Sequence, residues 1–363
     1  IQMSADMDNG YRLVSAVFLR LLGIIYLIAF TSIALQVEAL AGSQGIVPIS
    51  QRLLEFTADY GYDRFFRLPT VFWLNASDAA LNGAAIAGCA AALLIMLQRY
   101  SRAALIIAYV LYLSQFYACY PFLNFQWDAL LLETGFLAIF LTPQSRVVIL
   151  LFRWLLFRLR FMSGISKLTS GDPQWANLTA LDTYFEVQPL PNPIAWYVHQ
   201  FPEWLLRFGT VATLVIEILV PFMMFLPRRW RFAAAWITIF WQLLIILTSN
   251  HNWINFLTII LCLFLFDDRA LRRVLPGRLP ALLGWRASNT VHAHPVKQYA
   301  VGVLAFFVLT IGTLKTYELA TGERINGWIG DTMRLSSAYS ITNAYHVFPT
   351  CLLYTSDAAD DRT

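Results

Sequence analysis

Long apolar runs alternate with short polar interruptions along this chain, and the runs carry the first prediction. A helix needs about 17–25 mainly apolar residues to cross a bilayer core. Runs approaching or reaching that length fall at 13–36, 79–97, 103–119, 124–142, 147–161, 205–226, 232–248, 253–266 and 299–314. Several are short, and 124–142 and 147–161 carry charges. The pattern predicts an all-α fold, a polytopic transmembrane helical bundle of about eight or nine membrane segments.

The interruptions predict orientation, because cytoplasmic loops carry an excess of Lys and Arg. RYSR at 99–102, PRRWR at 227–231 and the connection 267–298, with Arg269, Arg272, Arg273, Arg278, Arg286 and Lys297, alternate onto one side. SNHN at 249–252 and the turn at Tyr120–Pro121 fall on the other and hold no basic residue. The expected organisation is a cytoplasmic tail at 1–12 and a membrane domain at 13–314. Within it, segments 37–78 and 161–204 are extracytoplasmic and 267–298 is a cytoplasmic loop. Residues 315–350 begin a further extracytoplasmic domain. The last residues, CLLYTSDAADDRT at 351–363, change character abruptly and read as a non-native tail.

Composition narrows the function classes. The chain has 363 residues, 58% hydrophobic and 13% charged, about half the charge of a soluble domain. The net charge of +4 is small and its basic residues are explained by topology, which excludes a nucleic-acid groove. The four cysteines form no CxxC pattern. The HAH pair, His292 and His294, is too little for a zinc site of three or four converging ligands. GxSxG, P-loop and HExxH motifs are absent from the sequence, so no catalytic residue, metal or cofactor is assigned.

Charge inside the apolar runs is expensive, roughly 2.5–3.5 kcal/mol at mid-membrane even on mild scales. Asp128 and Glu133 lie in one run, Arg153, Arg158 and Arg160 in the next, and Glu217 stands in LVIEILVPF. Arg153 and Arg160 are seven residues apart and share a helix face. The expectation is that 124–142 and 147–161 pair antiparallel through a buried ion-pair ladder that fixes packing; the alternative is a polar pathway or proton relay. Glu217 is expected to bond a neighbouring helix or to sit protonated.

Between such runs lies GDPQWANLTALDTYFEVQPLPNPIAWYVHQFPEW at 171–204. Pro189, Pro191 and Pro193 predict an extended backbone, and the aromatic residues after them predict a segment lying along the membrane interface.

FQWDALLLETGFLAIFLTP at 125–143, RWLLFRLRFMSGISKLTSGDPQWANLTALDTYFEVQPLPNPIAWYVHQFPEW at 153–204 and IEILVPFMMFLPRR at 216–229 resemble the core of the lipase maturation factor family. The similarity spans most of 10–350 and is carried by long, unusually polar strings. It implies a non-enzymatic, chaperone-like membrane protein whose partners are a secreted lipase or other exported client and the lipid bilayer. The membrane would be that of the endoplasmic reticulum in a eukaryote or the inner membrane in a bacterium. In the family pattern an extracytoplasmic domain follows a motif like SITNAYHVF at 340–348.

On that resemblance, Trp175, Asp182, Tyr184, Glu186, Trp196, Tyr197, His199 and Trp204 are candidates for a client surface; the alternative is that these aromatics plug the bundle at its outer face. Two other classes compete. One is a membrane-embedded enzyme of the vitamin K-dependent carboxylase type. The other is a transporter using Asp128, Glu133 and Glu217, against which stands the lack of symmetric broken helices.

Overall fold

The computed structural model describes residues 10–188, 190–275 and 295–347. Pro189, Arg278, Arg286, the HAH pair and the tail 351–363 lie outside the described residues, as does most of the N-terminal tail. Among the described residues every regular element is a helix. The principal ones are α1 (Arg12–Ala41), α2 (Ile49–Tyr60), α3 (Asp78–Met96), α4 (Ser101–Ala118), α5 (Gln126–Ile139), α6 (Arg146–Thr169) and α7 (Ala180–Val187). They continue with α8 (Pro193–His199), α9 (Glu203–Ile218), α10 (Arg228–Thr248), α11 (Ile254–Leu261), α12 (Asp268–Val274), α13 (Pro295–Thr321) and α14 (Gly327–Ala338).

Among the described residues five helices are long and apolar enough to cross a membrane: Arg12–Ala41, Asp78–Met96, Glu203–Met223, Arg228–Thr248 and Gln298–Thr321. The protein is thus an all-α polytopic membrane protein. The other predicted segments are also helical but differ in kind. α5, with 14 residues, reaches only about 21 Å of the ~30 Å core. α6 is long enough but carries Arg146, Arg153, Arg158, Arg160 and Lys167, and it runs eight residues beyond the expected end at 161. Pro193 opens α8 and does not prolong the extended run. Proline is tolerated at the start of a helix, and here Asn192 caps the Ala195 N–H at 2.9 Å.

The chain divides into two compact units. The first holds the described residues up to Phe152, those of Asp267–Ile311, and Asn326–Asn343. Its α1 presents Leu19, Leu22, Tyr26, Phe30, Ile33 and Val37 as one buried stripe at helical spacing. α3 meets this stripe with small residues, Ala85, Gly88 and Ala92. A Cβ on Gly88 would sit 2.3 Å from the Phe30 ring, so close approach of the two backbones demands glycine there. The rings of Tyr26, Phe30 and Tyr112 cluster behind it, with Phe30 and Tyr112 edge to face at 5.4 Å. The start of α1 has no cap from its own neighbour Tyr11. Instead Asp268, at the head of α12, accepts the N–H groups of Arg12, Leu13 and Val14 at 2.8, 3.0 and 3.0 Å, filling donors a helix start leaves open.

The second unit comprises Arg153–Phe266, Gly312–Ile325 and the described residues from Ala344. Here α7 packs on α8 and α9, while α8 and α11 pack on α10. Pro221 has no N–H to continue the ladder, so α9 breaks at Leu219 and resumes for one turn at Val220–Met223.

Candidate functional site

In the second unit one face of α6 carries Arg160, Ser163 and Lys167, at spacings of three and four residues that stack them on the same side of the helix. Glu217 of α9 meets all three. Its Oε2 accepts from Lys167 Nζ at 2.8 Å and from Ser163 Oγ at 3.3 Å, and its Oε1 lies 3.4 Å from Arg160 Nη1. Lys167 Nζ also donates to the carbonyls of Ser163 (3.2 Å) and Val347 (2.9 Å). Arg160, Lys167 and Glu217 are all buried. Burial of this kind is tolerable only because the carboxylate is paired. Two positive charges face one negative charge, so the cluster carries a surplus of +1.

These side chains form one wall of a cavity of about 340 Å³, within the ~300–1,000 Å³ typical of ligand pockets. The remaining walls are mainly apolar, with Phe185, Leu205, Leu206 and Ile245 among them, and Phe201 and Leu244 are partly exposed beside them. Its α9 wall runs from Leu205 to Glu217, about 18 Å at 1.5 Å per residue. Tyr184 of α7 and His251, in the loop after α10, also line it and share a hydrogen bond of 2.5 Å. Burial, with the Lys167 charge as the lesser cause, pushes the His251 imidazole down to about 4, so it is neutral at pH 7.

The other charges named from sequence have neighbours within their own units. In the first unit Asp128 accepts the Tyr112 hydroxyl at 2.6 Å, and Glu133 accepts the Asn343 backbone N–H at 2.8 Å and its side-chain amide at 3.3 Å. In the second, Arg153 Nε donates to the Phe264 carbonyl at 3.0 Å, and the Arg158 guanidinium is buried 5.8 Å from the Tyr345 ring.

The 171–204 segment divides by direction. Trp196, Tyr197 and Trp204 are exposed by 64%, 65% and 69%. Asp182 and Glu186 flank His199 at 3.8 and 3.6 Å. Trp175 and Tyr184 turn inward to the cavity instead, Trp175 being buried with the Lys167 ammonium 5.3 Å from its ring. Trp175 therefore does not belong to an exposed surface. Sequence reading passed over Lys167 and Ser163. The available signal was the helical spacing of Arg160, Ser163 and Lys167 in RFMSGISK. Among the described residues no group of three or more His, Cys, Asp or Glu could hold a metal ion.

A polytopic helical membrane domain with a charged, ligand-sized cavity between its helices defines the class. Residues 13–273 match the family model described as the lipase maturation factor transmembrane domain, and the chain belongs to the lipase maturation factor family. Relatives include lipase maturation factor 2 of Xenopus tropicalis, 36% identical over 329 residues, covering 85% of this chain and 46% of that protein. Human lipase maturation factor 2 is 38% identical over 293 residues, 72% of this chain and 41% of that one. Mouse lipase maturation factor 1 is 36% identical over 287 residues, 74% and 50% respectively. The chain thus spans about half the length, or less, of these curated relatives. No solved structure matches.

Proposed function

We propose that this chain is the membrane part of a maturation factor that helps secreted lipases, or other exported proteins, fold and assemble, acting by contact and not by catalysis. The observation that carries the reading is the family match across 13–273, together with relatives named for lipase maturation. In this reading the basic turn 227–231 is cytoplasmic and the Ser249 end of α10 is extracytoplasmic, in the endoplasmic reticulum lumen or the periplasm. Trp196, Tyr197 and Trp204 then lie on the side where clients emerge. Rigid aromatic side chains provide contact area at low ordering cost, which supports their assignment to the client.

The test is Trp196→Ala with Tyr197→Ala, expressed beside a secreted lipase in cells lacking their own factor. Active secreted lipase should fall while the amount of membrane protein stays constant. Loss of abundance in proportion to activity would make the aromatics structural. A second reading, an embedded enzyme, draws on the cavity with its Tyr184–His251 pair.

A further inference from the structure

The cavity of the second unit has one property the client reading leaves unused. Arg160 is 6% exposed and gives Nη1 to Glu217, yet its Nε and Nη2 have no hydrogen-bond partner among the described residues. Those two N–H groups form one edge of the guanidinium, the fork that receives two oxygens of a carboxylate or phosphate side by side. Leaving charged donors enclosed without an acceptor is costly. Glu217 meets the guanidinium only at Nη1, and its other oxygen is shared by Lys167 and Ser163, so the Nε–Nη2 edge stays open to another acceptor. The indole Nε1 of buried Trp175, on the same cavity wall as Lys167, is likewise without an acceptor among the described residues.

Charge and shape agree on what would fill the space. The cluster of Arg160, Lys167 and Glu217 is one positive charge in surplus, His251 is neutral, and Asp172, whose Oδ1 caps the short helix after it, does not line the cavity. Away from that wall the lining is mainly aliphatic and aromatic, and Phe201 and Leu244, among the lining residues, are 46% and 36% exposed on the outer surface of the unit. Leu244 belongs to a helix long and apolar enough to cross a membrane, where an exposed apolar side chain meets acyl chains, so a ligand can enter sideways from the bilayer.

We infer that this cavity binds an anionic amphiphile, an acyl chain ending in a carboxylate or phosphate, with the acidic head taken by the Nε–Nη2 edge of Arg160 beside the Lys167 charge and the chain lying against α9 and α10. The site is independent of client contact, which the exposed aromatic residues would make.

The experiment uses the whole chain in nanodiscs of uncharged lipid, with binding read by thermal shift and native mass spectrometry. The probes are oleate, oleoyl lysophosphatidate and, as a neutral control of the same chain length, monoolein. At least one of the two acids should raise the unfolding midpoint saturably and appear as a 1:1 adduct, and which one does so separates a carboxylate from a phosphate head. Monoolein should bind at least tenfold more weakly. Arg160→Gln should weaken the acid at least tenfold and remove the preference over monoolein. Ile245→Trp, which fills the apolar part and leaves the charges intact, should abolish binding of the acid, and it decides the matter if Arg160→Gln does not fold. Equal binding of acid and monoolein, no adduct with either acid, or unchanged affinity in Ile245→Trp would overturn the proposal.

Discussion

Glu217→Gln and Lys167→Met separate charge balance from hydrogen-bond number as the cause of stability in the buried cluster. Lys167 shares its three N–H groups among Glu217, Ser163 Oγ and the carbonyls of Ser163 and Val347, at least as many hydrogen bonds as Glu217 accepts. If bond number ruled, Lys167→Met would be the worse change. Charge balance predicts the reverse. Removing the Lys167 charge leaves Arg160 and Glu217 as a neutral pair at 3.4 Å, and the lost bonds to carbonyls cost about 1–2 kcal/mol. Removing the Glu217 charge leaves two buried cations facing each other, and breaking a buried pair in this way costs roughly 3–5 kcal/mol. At the lower figure the ratio of folded to unfolded protein falls roughly a hundredfold. Glutamine keeps the shape and an acceptor oxygen, so the difference isolates charge. Reversible unfolding in mixed micelles, comparing both variants with the parent chain, gives the two free energies. If Lys167→Met costs as much as Glu217→Gln or more, the electrostatic account of the cluster is wrong.

Three further outcomes follow from other parts of the molecule. His251, held near 4 against an ordinary 6.5, folds as the neutral imidazole, so its share of stability is present above pH 6.5 and is lost as pH falls towards 4. Linkage sets that share at about 2–3 kcal/mol, and unfolding midpoints at pH 7.5 and 4.5 should differ less in His251→Gln than in the parent chain. Asp268→Ala removes the acceptor for three N–H groups at the start of α1 and should cost about 1–3 kcal/mol, with hydrogen exchange rising first at residues 12–14; unchanged protection there would show that water replaces the cap. Single cysteines placed at Asp182 or Asn250 should react with an impermeant reagent added outside spheroplasts or on the lumenal side of microsomes, and those at Arg229 or Arg273 should not; the opposite pattern would invert the proposed orientation.

The all-helical, membrane-spanning character was legible in the sequence because a bilayer imposes a length and a polarity on each segment, and both are properties of contiguous residues. The same argument marked Asp128, Glu133 and Glu217 as positions needing a partner, since the cost of an isolated charge in an apolar run does not depend on the fold. Which partner each one has is a different kind of fact. Lys167 reaches the carbonyl of Val347, 180 residues away, and Asp268 caps a helix that begins 256 residues before it. No local pattern encodes such pairings. Burial of Trp175 against exposure of Trp196 was likewise undecided by composition, because both sit in one aromatic, polar segment, and only the packing of α6, α7 and α9 determines which indole turns inward. The cavity belongs wholly to tertiary structure: its lining residues come from separate helices, and an enclosed volume exists only once those helices have been brought together and the gap between their side chains left unfilled.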